Sequence, residues 1–149
     1  MRKFRALLVG IFSVFALLTS GSVNAKDVLI TKSELPQKAI VFLDNHFKNK
    51  QILTVEKDSD FLSLSYKVTF TDNIEVEFDK SGDWDEIDGN RNALPTTFIL
   101  EPIVSYISTN YKGATITKID KESRIYEVKL NNGLELEFST SGVFKRIDN

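Results

Sequence analysis

Tyr66 to Ile87, YKVTFTDNIEVEFDKSGDWDEI, and Tyr126 to Ile147, YEVKLNNGLELEFSTSGVFKRI, carry one pattern twice, in step at a constant offset of 60. Tyr, Val, Glu, Glu, Phe, Ser, Gly and Ile recur at the same places. In the first stretch Tyr66, Val68 and Phe70 alternate with polar residues, and so do Ile74, Val76 and Phe78. A period of two is the pattern of a half-buried antiparallel strand. The register of the hairpin follows from keeping the apolar rows together. A two-residue turn at Asp72-Asn73 sets Val68 opposite Glu77, whereas a three-residue loop Thr71-Asp72-Asn73 sets Phe70 opposite Ile74, Val68 opposite Val76 and Tyr66 opposite Phe78. Only the second keeps one face dry. It needs a left-handed residue at the third loop position, and the sequence supplies Asn73 and Gly133 there. On the other face it places Lys67 beside Glu77 and Lys129 beside Glu135, both opposite-charge pairs.

Upstream, Ser33-Glu34-Leu35-Pro36 opens a helix in which Ile40, Leu43 and Phe47 form one apolar stripe with Ala39 beside them. Ile52 to Lys57 reads as a strand ahead of the hairpin, and Trp84 to Asp88 as a strand after Ser81-Gly82. Trp84 and Ile87 are three apart, as are Phe144 and Ile147. In a regular strand they point to opposite faces unless a bulge intervenes, which would leave one apolar residue of each pair exposed. Gly89-Asn90-Arg91-Asn92 breaks the pattern. Leu94-Pro95 and Pro102 then open a second helical segment, in which Val104, Ile107 and Tyr111 stand where Ile40, Leu43 and Phe47 stood. The expected fold is α+β: two repeats, each a helix packed on a four-stranded antiparallel sheet, with the two sheets either separate or joined edge to edge.

At the start of the chain Arg2, Lys3 and Arg5 precede an apolar run from Ala6 to Leu18 and a small-residue segment ending Val23-Asn24-Ala25. This reads as a secretory signal peptide, with cleavage after Ala25. The run is too short to span a bilayer, which needs about 20 residues. The expected organisation is a leader at 1–25, a first unit at 26–90 and a second at 91–149. With no cysteine there is no lipid attachment point and no disulfide. The expected product is an exported soluble protein, periplasmic or secreted and not a lipoprotein. Removing three leader cations from a formal net charge of −2 leaves −5. That acidity argues against nucleic acid or an anionic membrane as partner.

Catalytic chemistry finds little support. The sole histidine, His46, has no second histidine or cysteine to work with, which leaves thiol, Ser-His and histidine-zinc chemistry without a base or a ligand set. Glu75 with Glu77, and Glu135 with Glu137, lie at the spacing of paired carboxylates, but a solvated strand face beside Lys67 and Lys129 gives neither acid a reason to hold its proton. The acids Asp79, Asp83, Asp85, Glu86 and Asp88 could gather oxygen ligands for a cation. They do not follow the EF-hand spacing, since Trp84 stands where that loop needs glycine. Exposed aromatics are the remaining candidate. Trp84, Phe144 and Phe61 either cap the sheet's own core or, with Asp83, Asp85 and Glu86 around Trp84, form a candidate binding surface suited to a basic partner.

The order of these elements, an LP-led helix, aromatic-Lys helix ends at Phe47-Lys48 and Tyr111-Lys112, then Y-x-V, E-x-E-F and S-G-x-W/F-x-x-I, resembles the PepSY-like, beta-lactamase-inhibitor-like family. The resemblance covers nearly all of the chain after Ala25, twice. It implies an exported protein in which a helix covers an antiparallel sheet and a joined sheet offers a concave surface to a target. It brings no catalytic motif and no cofactor. The expected function is therefore non-enzymatic binding of an unidentified protein or peptide, inhibitory in one version, with binding of an envelope small ligand or cation at the acidic edge of the first unit as the alternative.

Overall fold

The computed structural model describes residues 27–59 and 62–148. The expected leader, residues 1–25, and Phe61 lie outside the described residues. Nine strands, β1 (Val28–Leu29), β2 (Ile52–Ser59), β3 (Leu64–Phe70), β4 (Glu75–Asp79), β5 (Trp84–Asp88), β6 (Ile116–Lys121), β7 (Ile125–Leu130), β8 (Glu135–Ser139) and β9 (Phe144–Asp148), accompany two helices, α1 (Gln37–His46) and α2 (Glu101–Asn110). The strands lie side by side in chain order and every neighbouring pair is antiparallel.

The hairpins form in the register that keeps their apolar rows together. Tyr66 pairs with Phe78 and Val68 with Val76, and at an offset of 60 Tyr126 pairs with Phe138 and Val128 with Leu136. Asn73 and Gly133 both take positive φ in the loops between. A bulge at Asp85, and another at Lys145, resolves the three-residue spacing of Trp84–Ile87 and Phe144–Ile147. The extra residue turns Trp84 to the side of Phe78 while Glu86 faces the other way, opposite Glu77.

Both helices cover that apolar side. From α1, Ala39 and Leu43 are buried, Phe42 sets its ring edge-on to Phe78, and Phe47 just beyond stacks on Phe70 at 5.2 Å. From α2, Ile103 and Ile107 are buried and Tyr106 packs against Phe138 and Phe144. The N-terminus of α1 comes so close to the β4–β5 turn that a Cβ at Gly82 would sit 2.8 Å from the Pro36 Cβ and 2.9 Å from the Ala39 nitrogen. Only glycine fits there, and its φ of +85° adds the same requirement.

The expectation of two repeats, each a helix on its own four-stranded sheet, is corrected. The sheet is one nine-stranded structure, because β5 pairs directly with β6 through Glu86–Asp120, Ile87–Ile119 and Asp88–Lys118. Separate sheets would each leave another long edge of unpaired N–H and C=O groups beside apolar side chains. Joining them buries Ile87 and Ile119 completely. The connecting segment tightens the join: Gly89 N donates to Thr117 O, Leu94 N donates to Ile116 O, and the Phe98 ring lies against Phe42, Phe47 and Trp84. The ninth strand, β1, is too short to show a period in the sequence; it covers β2 at Glu56 and Lys57.

Candidate functional site

With both helices on one side, the other side of the sheet is the open one. The strand registers place one charged residue per strand in a single row across it: Glu56, Lys67, Glu77, Glu86, Asp120, Glu127, Glu137 and Arg146, from β2 to β9. Five neighbouring strands, β4 to β8, each contribute an acid. Like charges directly opposite one another destabilise a sheet, so this row carries a folding cost that neighbours must offset or a ligand must relieve.

Neighbours offset the ends of the row. Lys67 reaches Glu77 at 2.9 Å and Glu75 at 3.6 Å; Lys118, one row away, reaches Glu86 at 2.7 Å and Asp88 at 3.7 Å; Arg146 pairs with Glu137. Glu137 is 6% exposed, so that pair also satisfies a buried charge. Asp120 and Glu127, in the middle, form no ion pair among the described residues. Burial, followed by the charge on Glu86, pushes the Asp120 carboxyl up to about 6. Burial, followed by the charges of Glu122, Asp120, Glu137 and Asp148, pushes Glu127 up to about 7. Carboxyl oxygens of Glu127, Glu137 and Asp148 converge to within 4.8 Å of one another, close enough to share one cation.

The residues expected from sequence fall in different places. Trp84 is half-buried on the helix side, packed by Phe42, Phe98 and Tyr126, with the Lys121 ammonium 4.9 Å from its ring centre. Phe144 is half-buried beside α2, stacked on Tyr106 at 4.5 Å. The two aromatics share none of these ring neighbours. Asp83 pairs with Lys38 at 2.6 Å, which holds its carboxyl below the usual range. Asp79 closes the β4–β5 turn by accepting from Ser81 N at 2.7 Å and Asp83 N at 3.0 Å. Asp85 sits in the bulge, its carboxyl pushed up by burial and then by Asp79. Glu86 belongs to the acid row, on the opposite side of the sheet from Trp84. No three of these turn acids converge on one point among the described residues. His46, half-buried, shares a hydrogen bond of 2.8 Å with Thr97 Oγ1 and lies against Phe42 and Phe98. It links α1 to the connecting segment.

The chain pattern pairs Glu137 with Glu135 along its own strand and does not bring it together with Asp120 and Glu127, although one signal for that alignment is present in it. The hairpin register that sets Lys67 opposite Glu77 also sets Glu127 opposite Glu137, an attractive pair in one hairpin and a repulsive one in the other. The contribution of Asp120 depends on how β5 meets β6, which no local pattern specifies.

Comparison with known proteins gives a consistent picture. The family model described as "Putative beta-lactamase-inhibitor-like, PepSY-like" matches residues 64–146. A solved structure from Bacteroides thetaiotaomicron, described as a "putative calcium-regulated periplasmic protein", is 39% identical, with a TM-score of 0.79 over 83% of this chain and 97% of that one. A solved structure from Bacteroides vulgatus, described as a "putative periplasmic protein from DUF2874 family", is 36% identical, with a TM-score of 0.77 over 83% and 97%. A second from the same species, of unknown function, is 33% identical, with a TM-score of 0.76 over 83% and 100%. No curated protein matches the chain.

Proposed function

Since the chain belongs to the PepSY-like family, we propose that it is an exported, non-enzymatic binding protein that takes a basic protein or peptide segment on its open sheet face. The observation that carries this reading is the run of five acids on adjacent strands, Glu77, Glu86, Asp120, Glu127 and Glu137, in which Asp120 and Glu127 form no ion pair among the described residues. Lysine or arginine side chains laid across the strands would relieve the repulsion the fold tolerates, and complementary charge of this kind raises association rates and selects partners. Of the surface expected from sequence, Glu86 belongs to this face. Trp84 and Phe144 serve as packing beneath the helices. Export is supported by the description of relatives as periplasmic; no helix among the described residues is long and apolar enough to cross a membrane.

The test is calorimetric titration of the chain with a lysine- and arginine-rich peptide, beside an acidic peptide of equal length. Salt-sensitive binding of the basic peptide alone, weakened at least about tenfold by Glu86→Gln with Glu127→Gln, is the expected result. Equal affinity for both peptides, or no effect of the double substitution, would remove the reading.

A second reading has its own observation. Glu127, Glu137 and Asp148 converge on one point, and the Bacteroides thetaiotaomicron relative is described as calcium-regulated. In this reading the row binds a divalent cation, Arg146 giving up Glu137 as the ion enters. A rise in unfolding temperature with Ca²⁺, abolished by Glu127→Gln, distinguishes it from the first.

A further inference from the structure

The two halves of the sheet provide an internal comparison. At an offset of 60, β9 is the counterpart of β5, with Ile147 standing for Ile87. The far edge of β5 is taken by β6, whereas the far edge of β9 has no partner strand among the described residues. The side chains record the difference. Ile87, covered, is 0% exposed; Ile147, uncovered, is 42% exposed, and Val143, just before the strand, is 63% exposed.

The backbone is oriented for pairing. Across the β5–β6 join, Gly89 N donates to Thr117 O, so by the two-residue alternation of a strand the peptide groups of Ile87 face β6. Those of Ile147 face outward in the same way. Lys145 and its bulge blunt the first part of the edge, which confines any pairing to the end of the strand, around Ile147.

We propose that β9 is a self-association edge at which two copies of this chain pair antiparallel about Ile147, continuing the sheet from one copy into the next. A two-fold axis perpendicular to the sheet keeps the helices of both copies on one side and preserves the antiparallel alternation. Centring it on Ile147 sets that residue against its own copy and Arg146 against Asp148 of the second copy, twice over. Centring it on Arg146 would set two arginines against each other. A pairing about Arg146–Ile147 would mix the two faces. Charge and apolarity therefore select one register. The strand is short, so the contact is smaller than the roughly 1,600 Å² of a standard interface, and the dimer dissociates on dilution.

The experiment uses the exported chain and a cysteine as register probe, which the cysteine-free sequence allows without background. Self-paired residues across an antiparallel ladder have Cα atoms about 4.5–5.5 Å apart, inside disulfide range. Ile147→Cys is expected to form a covalent dimer on mild oxidation, and Leu53→Cys, on β2 toward the opposite edge and more exposed at 60%, is not. Sedimentation of the parent chain at about millimolar concentration should approach twice the chain mass, and Ile147→Lys should restore the single mass; such weak self-association lies at the low-energy end of the affinity scale. A parent chain that stays monomeric, or a dimer in which Ile147→Cys cross-links no better than Leu53→Cys, overturns the proposal.

Discussion

Replacing Glu127 by glutamine should make the protein more stable, and only above the pH at which Glu127 ionises. In the fold this carboxyl lies opposite Glu137 and near Asp120, Glu122 and Asp148, and it is raised from 4.5 to about 7. At about 1.36 kcal/mol per pH unit, ionising it in the folded chain costs about 3 kcal/mol more than in the unfolded one. Water at the open face screens part of this, which leaves about 1–2 kcal/mol. The sign follows from linkage. A carboxyl with a raised folded pKa contributes stability that is present below its unfolded value near 4.5 and lost as pH rises through about 7. Glutamine is neutral throughout, so the variant recovers the loss at about pH 8 and gains nothing from this source at about pH 4. For a domain of this size the recovery is a rise of about 4–8 °C in Tm at the higher pH, measured by circular dichroism against Glu135→Gln. That control removes a carboxylate paired with Lys129 at 2.9 Å and should be neutral or slightly destabilising. No rise at the higher pH, or an equal rise at both, would refute the argument that the row stores like-charge repulsion.

Other consequences follow from the same geometry. Arg146→Ala strands the buried Glu137 carboxylate without its partner and should cost about 1–3 kcal/mol in urea unfolding. Gly89→Ala should damage the join between the halves. Its Cβ would stand 2.2 Å from Asn92 O and 2.8 Å from Thr117 O, so the thermal transition should fall well below that of Gly133→Ala, which meets only the cost of a positive φ, about 1 kcal/mol. Trp84→Phe and Phe144→Ala should lower stability without abolishing capture of a basic peptide. Emission from Trp84, the sole tryptophan, should change on unfolding far more than on titration with that peptide.

Much of this fold was legible because its signals are local. The alternation from Tyr66 to Phe78 and the left-handed loop residues Asn73 and Gly133 fixed hairpin registers without any tertiary knowledge. The Trp84–Ile87 spacing raised the question that the bulge at Asp85 answers. The join was not legible. Nothing in the strand pattern of Trp84 to Asp88 says whether its far edge meets solvent or Ile116 to Lys121; that is settled by burial of Ile87 against Ile119 across a 27-residue connection. The acid row inherits this difficulty, since it exists only once β5 and β6 share a register. The acids dense along the chain, Asp79 to Asp88, are the ones that stand out in the sequence, and the fold spreads them over a turn, a bulge and two sides of the sheet. Acids distant in the chain, Glu77, Asp120 and Glu137, are the ones it aligns. For Trp84 and Phe144, each beginning a strand beside polar residues, the sequence leaves open an exposed patch or a cap on the sheet's own core, because the helices they pack against come from elsewhere in the chain.

The most direct test of the open face is an amide NMR titration of the chain with a lysine- and arginine-rich peptide at near-neutral pH. The account predicts shifts concentrated on Glu77, Glu86, Asp120, Glu127 and Glu137 and their neighbours across β4 to β8, weakened by salt and lost with Glu86→Gln and Glu127→Gln together. Shifts concentrated on α1, α2 and the Trp84 indole, or none at all, would contradict it.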